Sequence, residues 1–279
     1  MRRAVVAGGG FRAEVLPDLG AGIASLRFNG RDLLRPASAA EIRRRNHSGL
    51  GSFLMAPWTN RLDAGKLRFG GRTWRLPINR KQDRTAIHGF LRELPWRVRR
   101  RALSALTLAV TGRRAPWHVD ATLALRFADG AATMTLSLVN RGRRAVPVGI
   151  GLHPWFPRTP RSTLRFAATH GFPRDARNLP VAAEPARGMA GPLAAQRGHD
   201  GHWSGWDGVA VLDGMTLTAG GAFRNLHVYV PAHDPVVCIE PVSHVPDVPN
   251  RPQFARHGAM RMLAPGRRIS GWMRLRPGP

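Results

Sequence analysis

Three absences limit what this chain can be. Its 279 residues include a single cysteine, so no intramolecular disulfide can form. No apolar run approaches the roughly 18 residues that a membrane-spanning helix needs. The apolar start of the N-terminus ends at Gly8-Gly9-Gly10, and no export signal follows it. We therefore expect a soluble, cytoplasmic protein with no membrane partner.

Lysine is almost absent too, although the chain is strongly basic. Lys66 and Lys81 are the only lysines among 43 basic residues, and the formal net charge is +26. Such a charge suggests nucleic acid as a partner. The arginines are scattered, however, and no basic helix or aromatic-interleaved RNA-binding motif occurs. Heavy use of Arg, Ala, Gly and Pro is typical of a GC-rich genome. We therefore expect no nucleic-acid partner, while an anionic small substrate such as a sugar phosphate stays open.

The motifs of several enzyme classes are missing. Gly8-Gly9-Gly10 precedes a predicted strand rather than opening a helix, which excludes a phosphate-binding loop there. No Gly-x-Ser-x-Gly nucleophile elbow is present. His199 and His202 are three residues apart on a predicted loop, but no further Cys or His is patterned around them, so we predict no zinc site. Cys238 lies among aliphatic residues, as a small core residue does.

What the sequence does contain is a succession of short strand patterns. In residues 133–139, Met134, Leu136 and Leu138 alternate with polar residues, which indicates a half-buried strand. Pairs such as Asn29-Gly30 are strong signals for tight hairpin turns. Residues 157–202 are predicted to form long loops, with one short strand near 164–166.

Helix signals are nearly lacking. Ser38 and Glu41 have the spacing of a capping box, which predicts one short helix reaching Arg45. About a dozen and a half short strands and hardly any helix predict a large antiparallel β-sandwich rather than a fold of alternating strands and helices. No internal repeat or composition shift marks a linker, so we predict an all-β single domain over residues 1–279.

Several polar residues lie in rigid, apolar contexts. Glu240 ends an apolar, β-branched run and is followed at once by a proline-rich loop, a position from which a strand can point a carboxylate into a cleft. His88 and His153 are each flanked by aliphatic and aromatic residues. Alone, each could be a satisfied core histidine or a surface carboxylate. Together, aromatic rings beside polar donors and acceptors are typical of sugar sites, because rings cover the C–H surface of a pyranose.

Four collinear motifs give the set a family resemblance. The chain resembles the aldose 1-epimerase (galactose mutarotase) family over nearly its whole length, in the segments Pro57-Trp58-Thr59-Asn60-Arg61, Ala86-Ile87-His88-Gly89-Phe90, Gly151-Leu152-His153-Pro154-Trp155-Phe156 and Cys238-Ile239-Glu240-Pro241. The resemblance implies a galactose mutarotase-like β-sandwich that interconverts the α and β anomers of a free aldose. It also implies that no metal or cofactor is needed.

The resemblance assigns roles residue by residue. Glu240 matches the general base that takes the proton of the C1 hydroxyl, and His153 matches the general acid that protonates the ring oxygen. His88 matches a second active-site histidine. A carboxylate and an imidazole can supply both proton transfers near neutral pH. The predicted substrate-binding residues are Arg61, Asn60, Asp200, Trp155 and Trp203.

Two departures bear on the choice of sugar. The residues before Asp200 are unusual for the family, and Trp155 stands where Tyr is common. Two alternatives stay open: a hexose-6-phosphate 1-epimerase of the same fold, and a carbohydrate-binding or sugar-sensing protein without turnover. In each case we expect a small-molecule sugar as the partner and a monomer or homodimer as the assembly. For the epimerase, Glu240 and His153 should face one cleft, about a sugar ring apart.

Overall fold

The computed structural model describes residues 1–278, and strands make up most of its regular structure. In chain order they are β1 (Ala4–Gly8), β2 (Phe11–Leu16), β3 (Gly22–Phe28), β4 (Arg31–Leu34), β5 (Ser52–Met55), β6 (Arg61–Asp63), β7 (Lys66–Phe69), β8 (Arg72–Arg75), β9 (Thr85–Ile87), β10 (Arg97–Ala102), β11 (Ala105–Arg114), β12 (Trp117–Ala128), β13 (Ala131–Asn140), β14 (Val146–Val148), β15 (Gly151–Pro157), β16 (Thr163–Phe166), β17 (His170–Gly171), β18 (Glu184–Pro185), β19 (Met189–Pro192), β20 (Asp200–Ser204), β21 (Val209–Leu212), β22 (Met215–Gly221), β23 (Asn225–Tyr229), β24 (Val236–Val242), β25 (Arg261–Leu263) and β26 (Arg268–Arg276).

Helix is confined to short pieces. The one α-helix, α1 (Ala39–Arg43), begins at Ser38, whose hydroxyl accepts a hydrogen bond from the Glu41 amide, and it ends two residues before the predicted Arg45. Single 3₁₀ turns occur at His47–Gly49, Leu91–Glu93, Leu193–Gln196 and Pro252–His257. None of the helices that residues 1–278 form has the length and apolar character needed to cross a membrane.

Two large antiparallel sheets confirm the predicted β-sandwich. The larger sheet has eleven strands in the order β1-β2-β3-β5-β15-β24-β23-β20-β17-β18, with β4 paired to β3. The smaller sheet has nine, in the order β10-β11-β12-β13-β26-β22-β21-β16-β19. The pairs β14–β25, β6–β9 and β7–β8 form three further two-stranded sheets. The crossovers place β5, β15, β24 and β23 side by side although they are distant in sequence.

The prediction of about a dozen and a half strands was too low, and two segments account for much of the difference. β5 was not predicted because all four of its residues are buried, so its sequence lacks the alternation of a half-buried strand. Residues 157–202 contain β17, β18 and β19 as well as the predicted short strand. Strands of two to four residues are too short to show a period.

The core lies between the two large sheets. Leu152 and Ile239 of the larger sheet belong to the same buried apolar cluster as Leu123 and Leu136 of the smaller sheet. On the opposite face of the larger sheet, which we call the polar face, the alternate residues include His153 of β15 and Glu240 of β24, beside the apolar Trp155, Cys238 and Val242. The period of two in a strand therefore separates a core face from a polar face.

Residues 59–92 run across this polar face, and hydrogen bonds to the loop after β24 hold them there. The Thr59 amide donates to His244 Nε2 at 3.0 Å, and His244 Nδ1 donates to the Val245 carbonyl at 2.8 Å. The Asp63 amide donates to Asp247 at 2.9 Å. Because both ring nitrogens of His244 are used, the imidazole must be neutral with its proton on Nδ1.

We expect this histidine to make the fold acid-sensitive. Burial lowers the pKa of His244 from 6.5 to about 4, so the unfolded chain binds a proton below 6.5 that the folded chain does not. Between about pH 7.5 and about pH 5 the wild type should therefore lose about 2 kcal/mol of unfolding free energy through His244 alone. The variant His244→Gln should lose that much less. Urea unfolding at both pH values measures the difference, with the exposed His233→Gln as a control; equal losses in wild type and His244→Gln would refute it.

Candidate active site

The site is centred on a cross-strand pair formed by His153 of β15 and Glu240 of β24. The register pairs Gly151 with Val242 and Trp155 with Cys238, which sets His153 opposite Glu240. Residues directly opposite in an antiparallel pair share one face. His153 Nε2 lies 3.1 Å from Glu240 Oε1, and both residues are buried.

The two residues face the same side of the sheet, as expected, whereas the expected separation of a sugar ring is wrong. Side chains that face each other on neighbouring strands start only about 5 Å apart at Cβ, so the carboxylate and the imidazole meet directly. The chemistry also asks for closeness. The two oxygens that they would serve, the C1 hydroxyl and the ring oxygen of an aldose, are bonded to the same carbon.

The pair belongs to a row of five side chains on the polar face, which we call the central row. On one side of the pair, Phe53 of β5 is opposite His153. On the other side, His227 of β23 is opposite Glu240, and His202 of β20 is opposite His227. The Phe53 and His153 rings are stacked with centroids 4.3 Å apart.

Burial controls the protonation of the central pair. It raises the pKa of Glu240 well above 4.5, and the nearby charge of Asp200 acts in the same direction. Burial also lowers the pKa of His153 well below 6.5, with the charges of His227 and Arg92 adding to the effect. Burial therefore disfavours the charged form of both residues.

His88 is held against the pair by its backbone. Its φ is +65° and that of Gly89 is +69°, and a side chain at Gly89 would collide with the Ala56 carbonyl. His88 Nδ1 accepts a hydrogen bond from the Asn60 amide at 3.2 Å, and its ring meets the His153 ring edge-on at 5.2 Å. Burial lowers the pKa of His88 as well, and the charges of Arg92 and Arg61 act in the same direction. A neutral His88 with Nδ1 accepting keeps Nε2–H as a donor.

Arg61 links residues 59–92, which cover the polar face, to Asp200 of β20. Its Nε donates to Asp83 at 2.8 Å, and its Nη2 lies 3.8 Å from Asp200 Oδ2. Asn60 Oδ1 accepts a hydrogen bond from the backbone N–H of Arg61 at 2.9 Å. The side-chain nitrogen of Asn60, Nδ2, is 3.4 Å from the His227 ring. The predicted residues Asn60 and Arg61 therefore lie in this site.

Asp200 is the acceptor at that end. Its Oδ1 is 2.6 Å from His227 Nε2, and its Oδ2 is 2.8 Å from Arg174 Nη1. Burial opposes ionisation of Asp200, but the His227 hydrogen bond and the charges of Arg174 and Arg61 hold its pKa below the usual range. The carboxylate is thus a fixed negative group beside the central row.

The two predicted tryptophans lie on different faces. Trp155 is on the polar face, and its ring stacks on His153 with centroids 5.2 Å apart. Trp203 is opposite Leu226 on the core face, where its ring meets Phe166 of the smaller sheet at 5.0 Å. The structure brings Trp155 to the central pair but not Trp203, because odd and even positions of β20 point in opposite directions.

Four residues of the site were not singled out in the sequence: Phe53, Asp83, Arg174 and His227. His227 carried a signal, since it alternates with the core residues Leu226 and Val228 in a strand with two different faces. Phe53 lies in the all-buried β5, where no alternation marks it. His202 was considered only as a zinc ligand, on what was taken to be a loop; it belongs to β20.

One group of side chains has the spacing of metal ligands. His153, Cys238 and Glu240 each offer an atom within 4.8 Å of the others. A borderline-soft cation such as Zn²⁺ accepts this donor set. Cys238 would first have to lose its proton, and burial raises its pKa well above 9. The prediction that the reaction needs no metal stays a prediction.

Unused hydrogen-bonding capacity points to where a ligand binds. Glu240 Oε2 is buried without a hydrogen-bond partner among residues 1–278. Buried polar atoms normally have partners. A carboxylate with one oxygen still unpartnered, whose other oxygen lies 3.1 Å from an imidazole, can take a proton from one oxygen of a ligand while the imidazole delivers a proton to a second oxygen.

Comparisons with known proteins identify the family and the fold. The family model for aldose 1-epimerase matches residues 4–276. An uncharacterized protein of Escherichia coli strain K12, YphB, is 27% identical over 267 residues, which are 88% of each chain.

Solved structures share the fold. A crystal structure of a candidate aldose 1-epimerase from Escherichia coli K12 has a TM-score of 0.86 and 23% identity, and covers 99% of this chain and 98% of that one. A galactose mutarotase-like protein from Clostridium acetobutylicum also has a TM-score of 0.86, with 19% identity and coverage of 97% and 93%. Since the family model matches nearly the whole chain, the protein belongs to the aldose 1-epimerase family.

Proposed function

We propose that the protein is an aldose 1-epimerase, which interconverts the α and β anomers of a free aldose by opening and closing its ring. The observation that carries the proposal is the 3.1 Å contact between His153 Nε2 and Glu240 Oε1 on the buried polar face. Opening a hemiacetal requires a base at the C1 hydroxyl and an acid at the ring oxygen together. A carboxylate and an imidazole that share one proton supply both.

Ring opening moves two protons and breaks one bond. With the shared proton on His153, the Glu240 carboxylate removes the proton of the C1 hydroxyl, and the electrons of that O–H bond form the carbonyl. The bond from C1 to the ring oxygen breaks, and the ring oxygen takes the proton from His153. The pair again holds one proton, now on Glu240, so no net charge develops on the buried face.

Closure is the same sequence in reverse after a rotation. The aldehyde at C1 turns about the C1–C2 bond, and the hydroxyl at C5 attacks its other face. His153 takes the proton of that hydroxyl while Glu240 returns a proton to the carbonyl oxygen. Roles are exchanged between the two directions, so one pair serves both.

The neighbouring residues hold the sugar and set the polarity of the pair. The Nε2–H of His88 can donate to the ring oxygen beside His153. Arg61, Asn60 and Asp200 offer fixed donors and acceptors for hydroxyls, and Trp155 supports His153 by stacking on its ring.

A sugar-binding protein without turnover is the competing function. It is disfavoured because a binder gains nothing from burying Glu240 against His153, whereas isolating a carboxyl group from water is costly. Perturbed titratable pairs of this kind are found preferentially at catalytic sites.

Removing the base should abolish most of the catalysis. Glu240→Gln keeps the shape of the side chain but cannot accept the proton, so kcat/KM for mutarotation should fall by about 10²- to 10⁴-fold. His153→Asn should cause a similar loss, and the double variant should be little worse than either single variant because the pair acts as a unit. Polarimetry of freshly dissolved α-glucose, corrected for the spontaneous rate, measures this.

Glu14→Gln is the matched control, because Glu14 is a carboxylate of β2 in the same large sheet but far along the strand order. It should leave mutarotation within error of the wild type. A Glu240→Gln variant that turns over glucose at the wild-type rate would contradict the proposal.

The pH profile should reflect a pair with one proton. A second proton would go to His153, and burial lowers its pKa well below 6.5, so the doubly protonated pair forms only in acid. We expect kcat/KM, which reports on the free enzyme, to stay constant as the pH decreases to 6.5 and to fall only below it. Anomer exchange measured by NMR across the acid range tests this; a decline centred above 6.5 would contradict it.

A further inference from the structure

Two arginines at one end of the site have no anionic partner. Arg92 lies over the Phe53 ring, with its guanidinium carbon 5.2 Å from the centroid, and Arg35 lies over the Trp155 ring at 4.5 Å. Phe53 and Trp155 are the two rings that stack on His153. Each arginine therefore packs on an aromatic ring that itself stacks on His153.

Both guanidinium groups have unused donors. The Nε atoms of Arg35 and Arg92 are buried and have no hydrogen-bond partner among residues 1–278. Arg35 donates its Nη2 to the carbonyls of Ser48 and Leu50, and no salt bridge within residues 1–278 includes Arg35 or Arg92. Arg35 and Arg92 are half-buried, and withdrawing a cation from water without a counter-charge is costly. Burial accordingly lowers the pKa of Arg92 to about 10.

The arginines at the other end of the site are different. Arg61 donates a hydrogen bond to Asp83 at 2.8 Å, and Arg174 forms an ion pair with Asp200 at 2.8 Å. Their charges are neutralised within the protein, so they suit the neutral hydroxyls of a sugar. The arginines at one end of the polar face are therefore paired with carboxylates, whereas those at the other end are free to bind an anionic group of a ligand.

The backbones of both unpaired arginines are fixed. The Arg92 carbonyl is hydrogen-bonded to His47 Nε2 at 2.7 Å, and a side chain on Gly20, whose φ is +64°, would lie 2.0 Å from that carbonyl oxygen. The Arg35 amide donates to the Trp155 carbonyl at 2.8 Å. Backbone contacts therefore fix the positions from which both guanidinium groups extend.

The order of the central row tells which part of a sugar would reach them. Along the row, Glu240 is followed by His153 and then by Phe53 with Arg92 above it. If Glu240 serves the hydroxyl at C1 and His153 serves the ring oxygen, the next atom around the ring is C5. The substituent on C5 then points to the Phe53 end.

We propose that this site takes aldoses whose C5 substituent carries an anionic group, a phosphate ester or a carboxylate, bound by Arg92 and Arg35. The inference rests on the proposed function for the orientation of the sugar. Guanidinium groups match the oxygens of phosphate and carboxylate in a bidentate manner, and such charge-assisted bonds are the strong ones.

The test compares three sugars that differ at this substituent: glucose, glucose 6-phosphate and glucuronate. We expect the wild type to convert at least one of the anionic sugars with a kcat/KM about 10-fold or more above that for glucose. In Arg92→Gln, the ratio of anionic to neutral kcat/KM should fall by about 10- to 100-fold. The two anionic arms separate a phosphate-specific site from a carboxylate-specific one.

Arg72→Gln is the matched control, because Arg72 also lies over an aromatic ring, that of Trp74, on the β7–β8 hairpin. The protein has a net charge of +26, so all assays are run at about 0.15 M salt to screen long-range attraction. The ratio should be the same in Arg72→Gln and wild type. A wild type that prefers glucose, or an Arg92→Gln variant that keeps the wild-type ratio, would overturn the inference.

Binding separates this inference from the proposed function. Calorimetric titration of Glu240→Gln with glucose, glucose 6-phosphate and glucuronate measures recognition without turnover. If no sugar is epimerised by the wild type but one of the anionic sugars binds at least about 10-fold more tightly than glucose, and Arg92→Gln removes that preference, the anion site stands and the epimerase proposal falls. Equal binding of all three sugars overturns the anion site whatever the activity.

Discussion

The close contact between Glu240 and His153 is the interaction on which the rest of the site depends. It exists because β15 and β24, far apart in sequence, are neighbours with a register that sets these two residues opposite each other. The same register separates the faces: Ile239 and Leu152 enter the core while Glu240 and His153 point away from it. A shift of one residue in either strand would bury the acid–base pair in the core and expose aliphatic side chains. The stability of the sandwich and the placement of the chemistry therefore have one cause.

Burial then gives the pair its chemical character. Water would ionise the carboxyl group and leave the imidazole near its ordinary pKa, whereas the covered face raises the pKa of Glu240 and lowers that of His153. A pair that holds one proton can pass that proton from one residue to the other without a change in its net charge. At one end of the site the surrounding cations are also neutralised, because Asp83 pairs with Arg61 and Asp200 pairs with Arg174. At the other end Arg35 and Arg92 lack such partners, and that asymmetry distinguishes this site from one made for neutral sugars alone.

The sequence predicted the fold class and most of the site, for physical reasons that can be traced to particular residues. Turn pairs such as Asn29-Gly30 and the alternation in β13 are local signals, and they identify strands. The family resemblance carried by the motifs around His153 and Glu240 identified the pair. What sequence could not supply was tertiary: Phe53 lies in a strand without alternation, and Arg174 reaches Asp200 from a loop. Trp203 was predicted to bind sugar from its neighbourhood in sequence, yet the pleat of β20 turns it into the core. The distance between Glu240 and His153 was also out of reach, because only the strand order makes them neighbours.

The most direct test of the account is a crystal structure of Glu240→Gln with bound aldose, determined in parallel with glucose and with glucose 6-phosphate. The account predicts that the ring oxygen lies within hydrogen-bond distance of His153 Nε2 and that the C1 hydroxyl lies beside the side-chain amide at position 240, with the sugar on the polar face between β15 and β24. A sugar bound on that face with C1 turned away from both residues, or bound at another surface altogether, would contradict it.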